Sequence, residues 1–389
     1  MNDTAISILI AGDMVPTKSN EGFFIKGDVS SLIGNSLYEI FQKADITSVN
    51  LECPLTTSDT PIKKIGPNLR ALPETIKGIK ALDPTIIGLA NNHILDYGEK
   101  GLADTLSLLT DNRIPYVGVG NNLKDAAQSI HIVEEKGCRI GFYACAEHEF
   151  SIATEKTSGA NPFDALMTGD VIKSLKADCK LDTLIVLYHG GKEYYQYPSP
   201  GLQKVCRHLV QKGANLVVCQ HSHCIGAYEH YQDGDIVYGQ GNFVFDMKHP
   251  FSINGLLIRY HLFPEGRKEI EFIPIEKQEN GAIRKSSPAK SKEIIESFMK
   301  RSKEILDREI VEKNYQVFSR QMINTYLYIL SPFGKWISRI DRHLLKGVLI
   351  RFFYTYQKRQ SILNNLRCEA HSEAITSGLK AISNRRKRK

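Results

Sequence analysis

Long hydrophobic runs are missing from this chain. No stretch of its 389 residues approaches 18 consecutive apolar positions, so no membrane-spanning helix is expected. The amino terminus, MNDTAISILIAGD, has an acid at position 3 and a short apolar run. A secretory signal has a basic start and a longer apolar core, so none is expected here. The eight cysteines, at 53, 138, 145, 179, 206, 219, 224 and 368, form no Cys-x-x-Cys pair, and several fall inside apolar runs. That distribution predicts reduced, mostly buried thiols and a cytoplasmic protein. Tryptophan occurs once, at Trp336. Apart from the last residues, NRRKRK, there is no extended low-complexity tract, and no repeat of fixed period.

The net charge of +7 conceals a division. Residues 284–389 carry 24 Lys/Arg against 9 Asp/Glu, a net of +15, whereas residues 1–283 carry 26 against 34, a net of −8. An acidic body joined to a basic tail implies two segments with different partners. Apolar content of 42% and charged content of 24% are those of an ordinary globular protein, and the length allows more than one unit.

Apolar runs of strand length alternate with helix-like segments. Strands are predicted at 5–13, 45–52, 85–93, 113–120, 129–135, 138–146, 182–191 and 215–223, and again at 224–231, 235–239, 254–263 and 269–276. Helices are predicted at 30–43, 73–82, 98–111, 164–176 and 200–212. The alternation, with strands apolar almost throughout, indicates a layered α/β domain, mixed or antiparallel toward its end. The polar stretch EKQENGAIRKSSPAKS predicts a domain over 1–278, a linker over 279–288 and a basic helical extension over 289–389 whose last residues are disordered.

Residues capable of metal or acid–base chemistry share one placement: each follows an apolar run. Asp13 follows ISILIAG, Glu52 follows ITSVNL, and Asn91, Asn92 and His93 follow TIIGLA. His189 follows TLIVLY, and His221 with His223 follow NLVVCQ. In open α/β sheets the crevice beyond the carboxyl ends of the strands is the usual binding site. An Asp, a Glu, an Asn and three His gathered there form a mixed oxygen and nitrogen set that suits Mn, Fe or Zn. His221-x-His223 puts both side chains on one face of an extended segment, and is the most specific single piece. Singly, each of these residues is as readily a turn, cap or loop residue. It is their joint occurrence at five strand ends that points to a shared site.

The motifs GDM, NLECPLT, LANNHILDYG, HGGKEYYQYPSPGLQKV, GANLVVCQHSH and IVYGQGNFVFD, in that order from about residue 6 to 263, resemble the CapA-type family of poly-γ-glutamate capsule synthesis proteins. That family is similar to the calcineurin-like metallophosphoesterases. The resemblance implies a four-layer α/β sandwich of mixed sheets flanked by helices, with two divalent metals at the strand ends. By the same resemblance Asp13 and His223 serve one metal, Asn92 and His221 the other, His189 is a further histidine ligand, and Glu52 bridges. His93 would contact substrate and assist the leaving group, with Asp96 holding its ring in one tautomer. Asn91, Glu193 and Asn242 are weaker candidates for substrate contact. Two positions depart from the pattern: Val15 stands where the superfamily's Asp-x-His motif has its histidine, and Gly190 stands where relatives tend to carry an aromatic residue.

Three functional readings follow. The first is a metal-dependent phosphoesterase acting in capsule or exopolymer synthesis on a phosphoester or anionic polymer. The second is a non-hydrolytic component of a membrane-associated polymer assembly or export complex. The third, an amide-bond enzyme, lacks an evident Ser or Cys nucleophile, since Cys53 beside Glu52 suits a buried packing role. The basic, aromatic tail fits a packed helical subdomain, or a helix lying on the inner membrane face, or, ranked lowest, a nucleic-acid contact.

Overall fold

A computed structural model describes the backbone of residues 5–385; the last four residues of the basic terminal hexapeptide, expected to be disordered, lie outside the described residues. The strands in the first half are β1 (Ile6–Met14), β2 (Ile46–Leu51), β3 (Ile86–Gly88), β4 (Tyr116–Val117), β5 (Val119–Gly120), β6 (Ile130–Glu135) and β7 (Cys138–Ala146). The remainder are β8 (Gly159–Ala160), β9 (Thr183–His189), β10 (Leu216–Gln220), β11 (Tyr228–Tyr231), β12 (Gly234–Val237), β13 (Asn254–Leu262), β14 (Lys268–Lys277) and β15 (Ile283–Lys285). They form one seven-stranded sheet, ordered β15-β14-β13-β1-β2-β3-β4, and one six-stranded sheet, ordered β11-β12-β10-β9-β7-β6. β5 and β8 pair separately.

The centre of each sheet is parallel: β1 with β2, β2 with β3, β7 with β9, β9 with β10, and β10 with β12. Parallel strands covered on both faces have no need of a polar side, which is why β2, β9 and β10 are buried along their whole length. The antiparallel strands β6, β11, β13, β14 and β15 lie toward the sheet edges.

Alternation along β9 sets the layers. Ile185 and Leu187 share a core with Ile8, Ile10, Val49 and Ile87 of the first sheet. Their neighbours Leu184, Val186 and Tyr188 pack instead with Ile172 of helix Thr168–Asp178 and with Cys206 and Leu209 of helix Pro200–Gln211. Helices Asn35–Gln42, Ile76–Leu82 and Gly98–Asp111 contribute Leu37, Phe41, Ile79 and Leu102 to the first sheet's core. The result is a four-layer α/β sandwich. Each fully buried aliphatic side chain in it contributes about 1.5–3 kcal/mol.

Two elements differ from the sequence expectation because of glycines. The helix expected over 30–43 breaks into Val29–Ile33 and Asn35–Gln42 at Gly34, whose φ of 75° favours glycine and where a Cβ would lie 2.8 Å from the Arg284 side chain. The run 113–120 is two short strands parted at Gly118, with φ of 92°, so that β4 joins the first sheet and β5 leaves it for β8.

The expected boundary near residue 278 also falls elsewhere: contacts divide the chain between Tyr315 and Gln316. The stretch read as a linker supplies β15, which pairs with β14, and Arg284, whose guanidinium donates to the carbonyls of Ser31 and Leu32. Ser287 then caps helix Pro288–Glu304 by accepting from the backbone N–H of Lys290, and Ile294 and Phe298 of that helix pack with Ile225 and Leu256. Polar composition suggested a linker, but pairing and packing make this segment part of the first unit. The second unit is helical, with a small core of Leu327, Tyr328, Ile350 and Tyr354.

Candidate metal centre

The parallel strands of both sheets end at one place. β1 ends beside Asp13, β2 leads directly into Glu52, β3 opens into the loop carrying Asn91, Asn92 and His93, and β9 ends on His189. β10 ends at Gln220, one residue before His221. Glycine makes the first of these junctions possible: a Cβ on Gly12 would lie 2.2 Å from the carbonyl oxygen of Gly241. That close approach lets Asp13 bridge to Asn242 and accept from the backbone N–H of Phe243.

Two groups of ligand-type side chains converge there, Asp13 with Glu52 and His223, and Glu52 with His189 and His221; within each, one candidate atom per residue lies within 4.8 Å of the others. Glu52 belongs to both. Its Oε1 is 3.3 Å from His189 Nε2 and 4.0 Å from His223 Nε2. Asn92 joins the second group, its Oδ1 lying 3.0 Å from His189 Nε2. Asn50, which sequence reasoning passed over inside the apolar strand β2, places its amide against Asp13 Oδ1 at 2.8 Å and His189 Nδ1 at 3.4 Å.

The histidine pair is not on an extended segment. His221 and His223 both adopt left-handed backbone, with φ of 82° and 51°, so the chain turns at each of them. The turn brings the His221 N–H onto Asp13 Oδ2 at 3.1 Å, and His223 Nδ1 onto Asn242 Oδ1 at 2.8 Å. Left-handed conformations at non-glycine residues are strained, and here they bind the loop to both groups of ligands.

Burial and hydrogen bonding test whether these residues fit a cation. Both carboxylate oxygens of Glu52 and the Nδ1 of His221 are buried and accept or donate no hydrogen bond. A buried carboxylate without a partner is unfavourable unless a cation completes it. Ligand atoms about 2.0–2.2 Å from a common ion lie about 3–3.5 Å apart, close to the spacings around Glu52. The donor set therefore fits divalent metal. Without one, burial and the neighbouring rings of His189 and His223 press the His221 pKa well below the ordinary value. Burial also opposes a charge on His223, but Glu52 and Asp13 outweigh it and raise its pKa to about 9. Asp13 is held down at about 2, its burial overcome by His223 and His189.

Position 15 offers no ligand: Val15 is buried, and its N–H donates to the carbonyl of Val244. Gly190 has no room for an aromatic ring, since even a Cβ would lie 2.6 Å from Glu147.

At the rim, His93 Nδ1 lies 2.6 Å from Asp96 Oδ2. Lys64 reaches the same pair, 3.1 Å from His93 Nδ1 and in a close ion pair with Asp96. Its side chain is only 2% exposed although it arrives from the irregular loop after β2. Glu149, likewise unforeseen, accepts from the Asn92 amide at 3.0 Å. Lys64 lies in no periodic pattern and follows no apolar run, so no sequence signal marks it. Glu149 is the third residue past the apolar run of β7, as His93 is past TIIGLA, and that placement is the signal that could have found it. Asn91 does not line the site as a substrate contact; it is fully buried, donating to the Leu51 carbonyl and accepting from the His93 N–H. Asn242 is a partner of His223, and Glu193 is half-buried, outside both ligand groups.

Residues 7–247, which include every ligand candidate named above, match the family described as bacterial capsule synthesis protein PGA_cap. The chain belongs to this family. A capsule biosynthesis protein CapA of Bacillus anthracis is 32% identical over 246 residues, covering 61% of this chain and 59% of that one. A PGA biosynthesis protein CapA of Bacillus subtilis (strain 168) is 29% identical over 312 residues, 77% of this chain and 80% of its own. The chain thus spans about three-fifths of the first relative and most of the second. Among solved structures, a 5'-nucleotidase precursor from Thermus thermophilus aligns at a TM-score of 0.45 and 13% identity, over 76% of this chain and 58% of that one. In this PGA_cap member no helix among the described residues is long and apolar enough to cross a membrane.

Proposed function

We propose that this PGA_cap protein is a metal-dependent hydrolase of phosphoesters, working in the synthesis of a capsule or poly-γ-glutamate-like exopolymer. Glu52 carries the reading: a buried carboxylate neither of whose oxygens accepts a hydrogen bond, common to two ligand groups. Asp13 and His223 would hold one ion beside it, and Asn92, His189 and His221 the other, with Mn, Fe or Zn suited to such mixed donors. Bound there, the ions would supply Lewis-acid polarisation of a phosphoryl oxygen and would acidify water at neutral pH.

The chain's own residues do the rest. Asn50 fixes Asp13 relative to His189, and Asn242 fixes the ring of His223. His93, at the rim, meets the departing oxygen, and Asp96 with Lys64 keeps its ring from turning. Burial of the cluster keeps bulk water from screening these charges.

The test is elemental analysis of the purified protein, followed by turnover of phosphomonoesters and phosphodiesters with Mn, Fe or Zn. Asn92→Ala lowers turnover by about 10²-fold or more if the residue holds a metal. Protein that takes up none of these metals, or that turns over no phosphoester with them, overturns the reading. One observation favours a second: with Val15 at its position, an ion held by Asp13, Glu52 and His223 would have three protein ligands and would be held more weakly. On that account the site binds an anionic polymer without cleaving it, and metal-dependent polymer binding without turnover is the result that distinguishes it.

A further inference from the structure

The second unit contains a helix with its burial reversed. In helix Lys335–His343 the one buried side chain is Asp341. Its carboxylate accepts from the backbone N–H groups of Leu349 and Ile350 and from the Tyr328 hydroxyl, at 2.9, 3.0 and 2.9 Å. Those bonds tie the acid into the unit's small core. The apolar residues turn the other way: Trp336 is 77% exposed, Ile340 47% and Leu344, just past the helix end, 74%. At 100° per residue, positions 336, 337, 340 and 344 fall within an arc of about 100°, an unbroken apolar stripe facing solvent. Lys335, Arg339 and Arg342 occupy the other side of the helix. The next helix, Val348–Phe353, adds Arg351 and Phe352, the latter 74% exposed.

Such a stripe is unfavourable in water and marks an interaction surface. Charge decides what covers it. Residues 316–389 carry 15 Lys/Arg against 3 Asp/Glu, and one of those acids is the buried Asp341. A cationic, aromatic-bearing helix too short and too polar to cross a bilayer is suited to its surface, with rings and aliphatic chains at the acyl boundary and cations among the phosphates.

We propose that the 335–353 face docks on an anionic lipid surface, with Trp336, Ile340, Leu344 and Phe352 entering the headgroup layer. This is independent of the chemistry proposed for the metal centre.

Because Trp336 is the sole tryptophan, the full chain reports its own insertion. Mixed with phosphatidylcholine vesicles containing phosphatidylglycerol, the protein co-sediments and its emission shifts to the blue; with pure phosphatidylcholine it does neither. Ile340→Glu combined with Leu344→Glu abolishes the shift and weakens partitioning by about tenfold or more. Both side chains are exposed, so these variants keep the wild-type circular dichroism and metal content. Replacing Arg339 and Arg342 by Ser weakens binding about fivefold for each cation removed. Three results overturn the proposal. One is co-sedimentation without a blue shift in the wild type. A second is the same shift produced by a polynucleotide in place of vesicles. The third is a shift that follows protein concentration without lipid, which would assign the stripe to a second copy of the chain.

Discussion

Glu52→Gln separates a shared ligand from a private one. The substitution keeps the shape of the side chain and removes the carboxylate that both ligand groups use. His223→Asn removes a donor from one group only. If two ions are bound, wild type holds two per chain, His223→Asn retains one, and Glu52→Gln loses both. Stability follows by linkage. An ion present at 100 times its Kd stabilises the folded state by about 2.7 kcal/mol. For a unit of 315 residues that raises the melting temperature by about 4 °C. Thermal unfolding with chelator and then with Mn, beside elemental analysis, reads both quantities. Wild type shows the metal-dependent rise, and Glu52→Gln does not. A Glu52→Gln protein that binds two ions and retains the full rise would refute the sharing of Glu52, and with it the reading of the two groups as one centre.

Gly12→Ala forces a Cβ against the Gly241 carbonyl oxygen at 2.2 Å, where backbone must move; urea unfolding should show a loss of about 1–3 kcal/mol, and no change would mean that this approach is looser than described. Arg301 is buried and donates to the carbonyls of Ile225 and Gly226, just beyond the histidine pair, and to the hydroxyl of Ser297. Arg301→Ala therefore lowers stability by about 2–4 kcal/mol and weakens Mn binding, measured by calorimetry, although it touches no ligand. Lys64→Met leaves metal stoichiometry intact and lowers kcat by about tenfold or more with KM little changed; an unchanged kcat would reduce Lys64 to a packing residue.

What the sequence made legible was the set of strand ends. Asp13, Glu52, Asn92, His189 and His221 each stop an apolar run, and parallel strands deliver such residues to one edge. The strand and helix alternation likewise announced a layered α/β domain, and the resemblance carried by the motifs implied the four-layer sandwich. What stayed hidden came from contacts between residues far apart in the chain. Lys64 reaches His93 from an irregular loop, and Arg301 reaches Gly226 across 75 positions, with no periodicity to mark either. Asn50 was hidden for the opposite reason, as one polar side chain inside a buried apolar strand. The 279–288 stretch misled because its composition is that of a linker, while its function as β15 and a helix cap depends on partners that composition does not record.

The backbone at His221 and His223 affects how any substitution there must be interpreted. Both residues occupy left-handed conformations that alanine tolerates poorly and asparagine tolerates well. An alanine replacement therefore perturbs the loop as well as removing an imidazole, and its loss of activity mixes two effects. Asparagine at the same position leaves the turn unstrained and deletes the ring. The gap between the two variants isolates what the loop's shape contributes, which makes the pair a direct gauge of how far this centre depends on conformation rather than on donor atoms.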